Sequence, residues 1–164
     1  MPFDISRVRS AYPALVEGYA HFDGAAGTQV AGPVIEAMAA TMGAAVANRS
    51  TAFEPGRRAG RVVAAARQAV ADLVGGVPQG VAFGGSATAL TYTVAGVLAA
   101  TWRPGDEIVL SRLDHDANVR PWVQAARRAG VTVRWAEFDR ATGELPAGQF
   151  ADLVGERTRL VAVT

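Results

Sequence analysis

From residue 80 onward the chain alternates between short runs suited to strands and longer helical stretches, and this rhythm constrains the fold more than any single motif. The spacing predicts strands over 80–83, 107–111, 131–136 and 159–164, with helices over 87–100 and 119–129 between the first three. Such alternation implies parallel strands joined by crossover helices that pack on a sheet. Pro104, Gly105 and Asp106 form the turn into the second strand, and Gly130 caps the second helix. A looser stretch over 139–148 precedes a short helix over 150–154 and the last strand.

Before residue 80 the chain reads as helical. A short helix is expected from Asp4 to Ser10, and an extended piece from Tyr19 to Phe22 leads into the small-residue segment Asp23 to Thr28. Pro33 suits the first turn of a helix reaching Ala47, and a second helix spans 55–74. Its apolar positions Val62, Val63, Ala66, Val70 and Leu73 keep the helical period, and Gly75 and Gly76 end it. No repeat or low-complexity linker interrupts the chain, so one continuous domain is the simplest parse. The last predicted strand runs to the final residue, whereas an open α/β sheet binds ligands beyond the carboxyl ends of its strands. The expectation is a fragment with an unpaired sheet edge.

At 50% hydrophobic and 19% charged, the 164 residues have the apolar content of an ordinary globular core. A net charge of +1 gives no electrostatic case for nucleic acid or an anionic membrane as partner. The pairs Arg57–Arg58 and Arg127–Arg128 read as solvated helix faces. With no cysteine, the chain has no disulfide framework and no sulfur-accepting thiol. The apolar run from Ala37 to Ala47 is too short to cross a bilayer, and the first residues lack a secretory apolar core. The cytoplasm is the expected location.

Chemistry concentrates in two places. Gly84 and Gly85 allow a tight turn after the first strand, and Ser86, Ala87 and Thr88 then open a helix. Free first-turn amides, the positive end of the helix dipole and two hydroxyls suit a phosphate dianion. The same residues also read as an ordinary capped helix start with Ser86 as N-cap. It is neither a dinucleotide fingerprint, lacking its glycine spacing, nor a P-loop, since all 16 basic residues are Arg. His115 lies just past the strand over 107–111, where imidazole could stack on a ligand ring or move protons. The competing readings are a surface histidine, a metal ligand with Asp114 and Asp116, and a triad member with Ser111.

The order of these segments carries a resemblance. Phe22 to Ala26, Asn48, Arg67, the turn from Phe83 to Thr88, Pro104 to Ile108, and Asp114 to Asn118 followed by Pro121 and Trp122 together resemble the N-terminal half of a cysteine desulfurase-like, class V aminotransferase protein. That family depends on pyridoxal phosphate (PLP) and has fold type I. The resemblance implies an α/β large domain, mainly a parallel sheet with helices on both faces, here truncated: 1–32 an N-terminal segment, 33–164 the first part of the PLP-binding domain. It implies that Ser86, Ala87 and Thr88 bind the cofactor phosphate and that His115 stacks on the pyridine ring and transfers protons. Ala25, Ala26 and Asn48 would lie near an amino-acid substrate, no metal is implied, and the complete enzyme would be a homodimer. The family's Schiff-base lysine has no counterpart here, so this polypeptide alone is expected to be inactive. The alternative is a non-catalytic α/β module binding a phosphorylated ligand or a protein partner. Ser86 to Ala89 stands where desulfurases carry Gly-Thr-Thr-Glu, and Arg49 to Ala52 replaces a usual His-Arg loop, which points to a divergent branch.

Overall fold

The computed structural model describes residues 3–164, which form two compact units, one ending at Ala82 and one running from Phe83 to Thr164. In the first unit, helix α1 (Ile5–Ser10) is capped by Asp4, whose carboxylate accepts from the Arg7 amide at 3.0 Å. The Tyr19 to Phe22 piece forms no ladder. Helix α2 (Gly32–Gly43) starts with Pro33 as expected but ends before Ala47. The cause lies in helix α3 (Glu54–Val74): Arg58 donates to the Ala45 carbonyl at 2.8 Å, and Arg57 donates to the carbonyls of Thr51 and Ala52 at 3.0 and 3.2 Å. Carbonyls taken this way hold 45–52 as a loop. Arg57 is exposed as expected and Arg58 half-buried, and both also staple the loop, while Arg127 and Arg128 are exposed.

Gly56 lets that loop close down. A Cβ there would lie 2.8 Å from Ser50 Cβ and 2.9 Å from both the Asn48 carbonyl oxygen and the Ser50 amide nitrogen. At the far end of α3, Gly75 takes a left-handed φ of 65° and the Gly76 amide returns to the Ala71 carbonyl at 2.8 Å. A 3-10 turn, Pro78–Gly80, follows and packs on α3.

The expected strand over 80–83 does not form. The amides of Gly80 and Val81 turn back to Val77 and Pro78, and residues 81–84, though Val81 is extended, pair with no strand among the described residues. A strand needs a ladder partner, which local sequence does not supply.

In the second unit, helix α4 (Ala87–Ala99) leads to strand β1 (Glu107–Ser111), helix α5 (Arg120–Ala129), strand β2 (Thr132–Ala136), a one-turn helix α6 (Phe150–Leu153) and strand β3 (Thr158–Ala162). The sheet is parallel in the order β2-β1-β3, with Ile108 opposite Val133 and Leu160. Central β1 is wholly buried. Ile108 and Leu110 face one core with Ala95 of α4 and Trp122, Ala125 and Ala126 of α5. Arg134 of β2 donates to the Leu153 carbonyl of α6 at 2.9 Å. At the amino ends of the strands, Glu107 pairs with Arg157 at 2.6 Å and Asp106 with Arg159 at 2.8 Å. Polar anchoring at that end leaves the carboxyl end for the site.

Candidate functional site

Two chain reversals meet at the carboxyl edge of β1. The first opens α4, where the Ser86 hydroxyl oxygen accepts from the Ala89 amide at 3.1 Å, as an N-cap should. No protein atom among the described residues accepts from the Ala87 or Thr88 amides, and residues 83–89 are exposed. These are the orphan donors of a helix first turn. Gly84 is required here for close approach rather than for a left-handed backbone: a Cβ would lie 2.6 Å from Leu90 Cδ2 and 2.7 Å from Leu90 Cγ. At Gly85 a Cβ would meet nothing within 4 Å.

The second reversal carries His115. Its Nδ1 accepts from the Ala117 amide at 3.1 Å, capping the 3-10 turn Asp116–Asn118 and leaving Nε2 as the uncommitted ring nitrogen. His115 and Thr88 line the same cleft, about 140 Å³ in volume, with Tyr92, Asp116 and Arg120. Ser86 and Ala87 border the helix start without lining it. Tyr92 and Arg120 escaped the sequence reading, although Tyr92 lies four residues beyond Thr88 on the same face of α4; Arg120 opens α5 after the 3-10 turn that holds Asp116. Asp116 accepts from Arg120 at 2.7 Å, and this carboxylate holds the Arg120 guanidinium above its usual pKa.

Behind His115 lies a polar staple that sequence analysis also missed. Asp114 Oδ1 accepts from the Asn118 side-chain Nδ2 at 2.9 Å and from the Thr164 hydroxyl at 2.6 Å, and Asn118 Oδ1 accepts from the Trp122 indole at 3.0 Å. It ties the loop after β1 to α5 and to Thr164, two residues past the end of β3. Partial burial pushes the Asp114 carboxyl up, but hydrogen bonds from Thr164, Asn118 and Ser111 outweigh it and hold its pKa below the usual value.

The same geometry separates the rival readings. Asp114 faces Asn118 and Thr164 while Asp116 faces Arg120, so the two carboxylates flanking His115 have partners of their own. Ser111 Oγ is buried and accepts from the Leu113 amide at 2.9 Å. Neither arrangement is a metal cage or a triad. Ala25 and Ala26 lie in a turn held by the Ala26 amide on Asp23, and Asn48 is exposed in the stapled loop of the first unit.

The second unit is thus a parallel α/β sheet with unpaired helix first-turn amides, the kind of donors that suit an anion, and an exposed imidazole at its carboxyl edge. The profile of the aminotransferase class-V family matches residues 20–164, and the chain belongs to that family. It is 36% identical over 162 residues to a probable cysteine desulfurase of Pseudomonas aeruginosa, covering 95% of this chain and 40% of that protein. The cysteine desulfurase CsdA of Escherichia coli superposes with a TM-score of 0.83 at 24% identity, over 98% of this chain and 41% of that one. A C-DES lysine-to-alanine variant with glycine covalently linked to its PLP cofactor superposes at 0.74 with 24% identity, over 93% of this chain and 39% of that one. These likenesses show the fold, part of the large domain of PLP-dependent fold type I, here a three-stranded parallel sheet with helices. The chain spans about 40% of the length of the curated relatives it matches. Among the described residues no helix is long and apolar enough to cross a membrane.

Proposed function

We propose that this chain is the N-terminal part of a PLP-dependent, cysteine desulfurase-like enzyme acting on an amino acid, with residues 33–164 opening its PLP-binding domain and 1–32 leading into it. The complete enzyme is a cytoplasmic homodimer. The observation that carries this reading is the shared cleft of Thr88 and His115 beside two unpaired amides.

The residues present fit the cofactor. The Ala87 and Thr88 amides at the positive end of α4 would donate to a phosphate oxygen, with the hydroxyls of Ser86 and Thr88 as further partners. Ser86 also keeps the turn in shape through Ala89. When bound, PLP withdraws electrons from a substrate α-carbon. His115 offers a flat ring for stacking, oriented by the Ala117 amide, and its Nε2 is free to hold or move a proton. Ala25, Ala26 and Asn48 belong on the substrate side. The chain contains no Lys, so covalent attachment of the cofactor is left to other residues of the complete enzyme.

The test is a PLP titration of the chain followed by visible absorbance and borohydride trapping. Saturable binding that weakens in Thr88→Ala and in His115→Ala, with no adduct on any side chain, is expected. Binding that ignores both substitutions overturns the site. Phosphate binding without any PLP preference favours the non-catalytic phosphate module.

A further inference from the structure

The first unit holds a second, separate basic pocket. Nε of Arg67 is the one buried side-chain nitrogen or oxygen without a hydrogen-bond partner among the described residues. Leaving such a donor unmet costs the desolvation of a charged group, so an acceptor is called for. Arg67 borders a pocket of about 390 Å³ with Arg49, Gln68 and Gln79, and no carboxylate lines it. Neither Arg49 nor Arg67 takes part in an ion pair among the described residues, whereas the neighbouring Arg57 and Arg61 both pair with Glu54.

The pocket is held from three sides. Arg67 projects from the middle of α3. Arg49 sits in the loop fixed to α3 by Arg57, Arg58 and the close approach at Gly56. Gln79 belongs to the 3-10 turn that packs on the same helix. Gln68 Nε2 donates to Asp72 at 2.7 Å, whereas the Gln79 side-chain amide makes no hydrogen bond among the described residues. Two guanidinium groups and an amide around a space without a counter-charge match the oxygens of a carboxylate or phosphate, which a guanidinium binds through paired donors.

We propose that Arg49, Arg67 and Gln79 form an oxyanion-binding site of the carboxylate or phosphate class, distinct from the cleft of Thr88 and His115. The experiment follows the arginine Nε–Hε signals of the isotopically labelled chain while inorganic phosphate, acetate or chloride is added at matched ionic strength. The expected result is a saturable shift of the Arg67 signal with phosphate or acetate and none with chloride. Whichever of the two binds more tightly names the ligand class. The exposed Arg49→Ala variant, whose fold is checked by its amide spectrum, should weaken that binding about tenfold. Arg67→Lys keeps the charge but loses the paired donors, and should weaken it at least as much. Equal, unsaturating shifts for all three anions would overturn the site. So would unchanged affinity in Arg49→Ala. The readout is independent of PLP binding, so this site and the PLP site stand or fall separately.

Discussion

Gly84 offers the sharpest test of how the turn into α4 is built. In Gly84→Ala the new Cβ would sit 2.6 Å from Leu90 Cδ2, 2.7 Å from Cγ and 3.3 Å from Cδ1. Cγ is not the loose end of the side chain, so either Leu90 must change rotamer or the turn must move off α4. Overpacking of this kind costs about 1–3 kcal/mol. Gly85→Ala meets nothing and has no left-handed backbone to violate, so it should be neutral or more stable by about 0.5 kcal/mol. Urea unfolding, followed by the fluorescence of the buried Trp102 and Trp122, measures both. The cause is isolated by a cycle with Leu90→Ala: once that side chain is gone, Gly84→Ala should cost almost nothing, giving a coupling of about 1–3 kcal/mol. A Gly84→Ala protein as stable as the parent, or a cycle additive to within about 0.5 kcal/mol, would refute the reasoning.

The same contrast recurs in α3, where Gly56→Ala meets backbone atoms and should destabilise by about 1–3 kcal/mol, while Gly60→Ala fills open space and should stabilise by up to about 1 kcal/mol; paired urea curves check it. Asp114 has a folded pKa below its unfolded value, so its contribution is present above about pH 4 and is lost as pH falls through the folded value. Asp114→Asn should flatten that acid limb of stability, measured by thermal unfolding against pH, whereas an unchanged limb would remove the staple's electrostatic role. With Phe22, Leu73 and Met42 at 95%, 84% and 81% exposed, the chain should bind a hydrophobic dye and self-associate as concentration rises, which sedimentation measures.

What the sequence made legible was what depends on neighbours in the chain. Strand β1 appears at its predicted bounds, β2 and α5 within a residue at one end, and Gly130 caps α5 with a φ of 68° because Arg127, Arg128 and Gly130 follow an apolar face that closes there. Pairs four residues apart on a helix were equally accessible, and Tyr92 could have been found that way from Thr88. The strand over 80–83 failed because its ladder partner is not a local property. The Asp114–Thr164 bond joins residues fifty apart, and no pattern in either segment announces it. Gly56 reads as a neutral first-turn residue until the loop at Ser50 is placed against it, and Arg57 and Arg58 read as surface charge until the carbonyls they hold are known. The Ser86 cap and the start of α4 at Ala87 were readable because an N-cap and its first turn are one short segment.

The central claim is that the first turn of α4 and His115 together receive PLP. Amide and imidazole NMR spectra of the labelled chain, recorded during PLP titration, test it most directly. The account predicts saturable shifts at the Ala87 and Thr88 amides and at the His115 ring, with the Ser111 and Ile108 amides of β1 left in place. Shifts confined to the Arg49 and Arg67 pocket or to the chain's amino terminus, with Ala87, Thr88 and His115 unmoved, would contradict it.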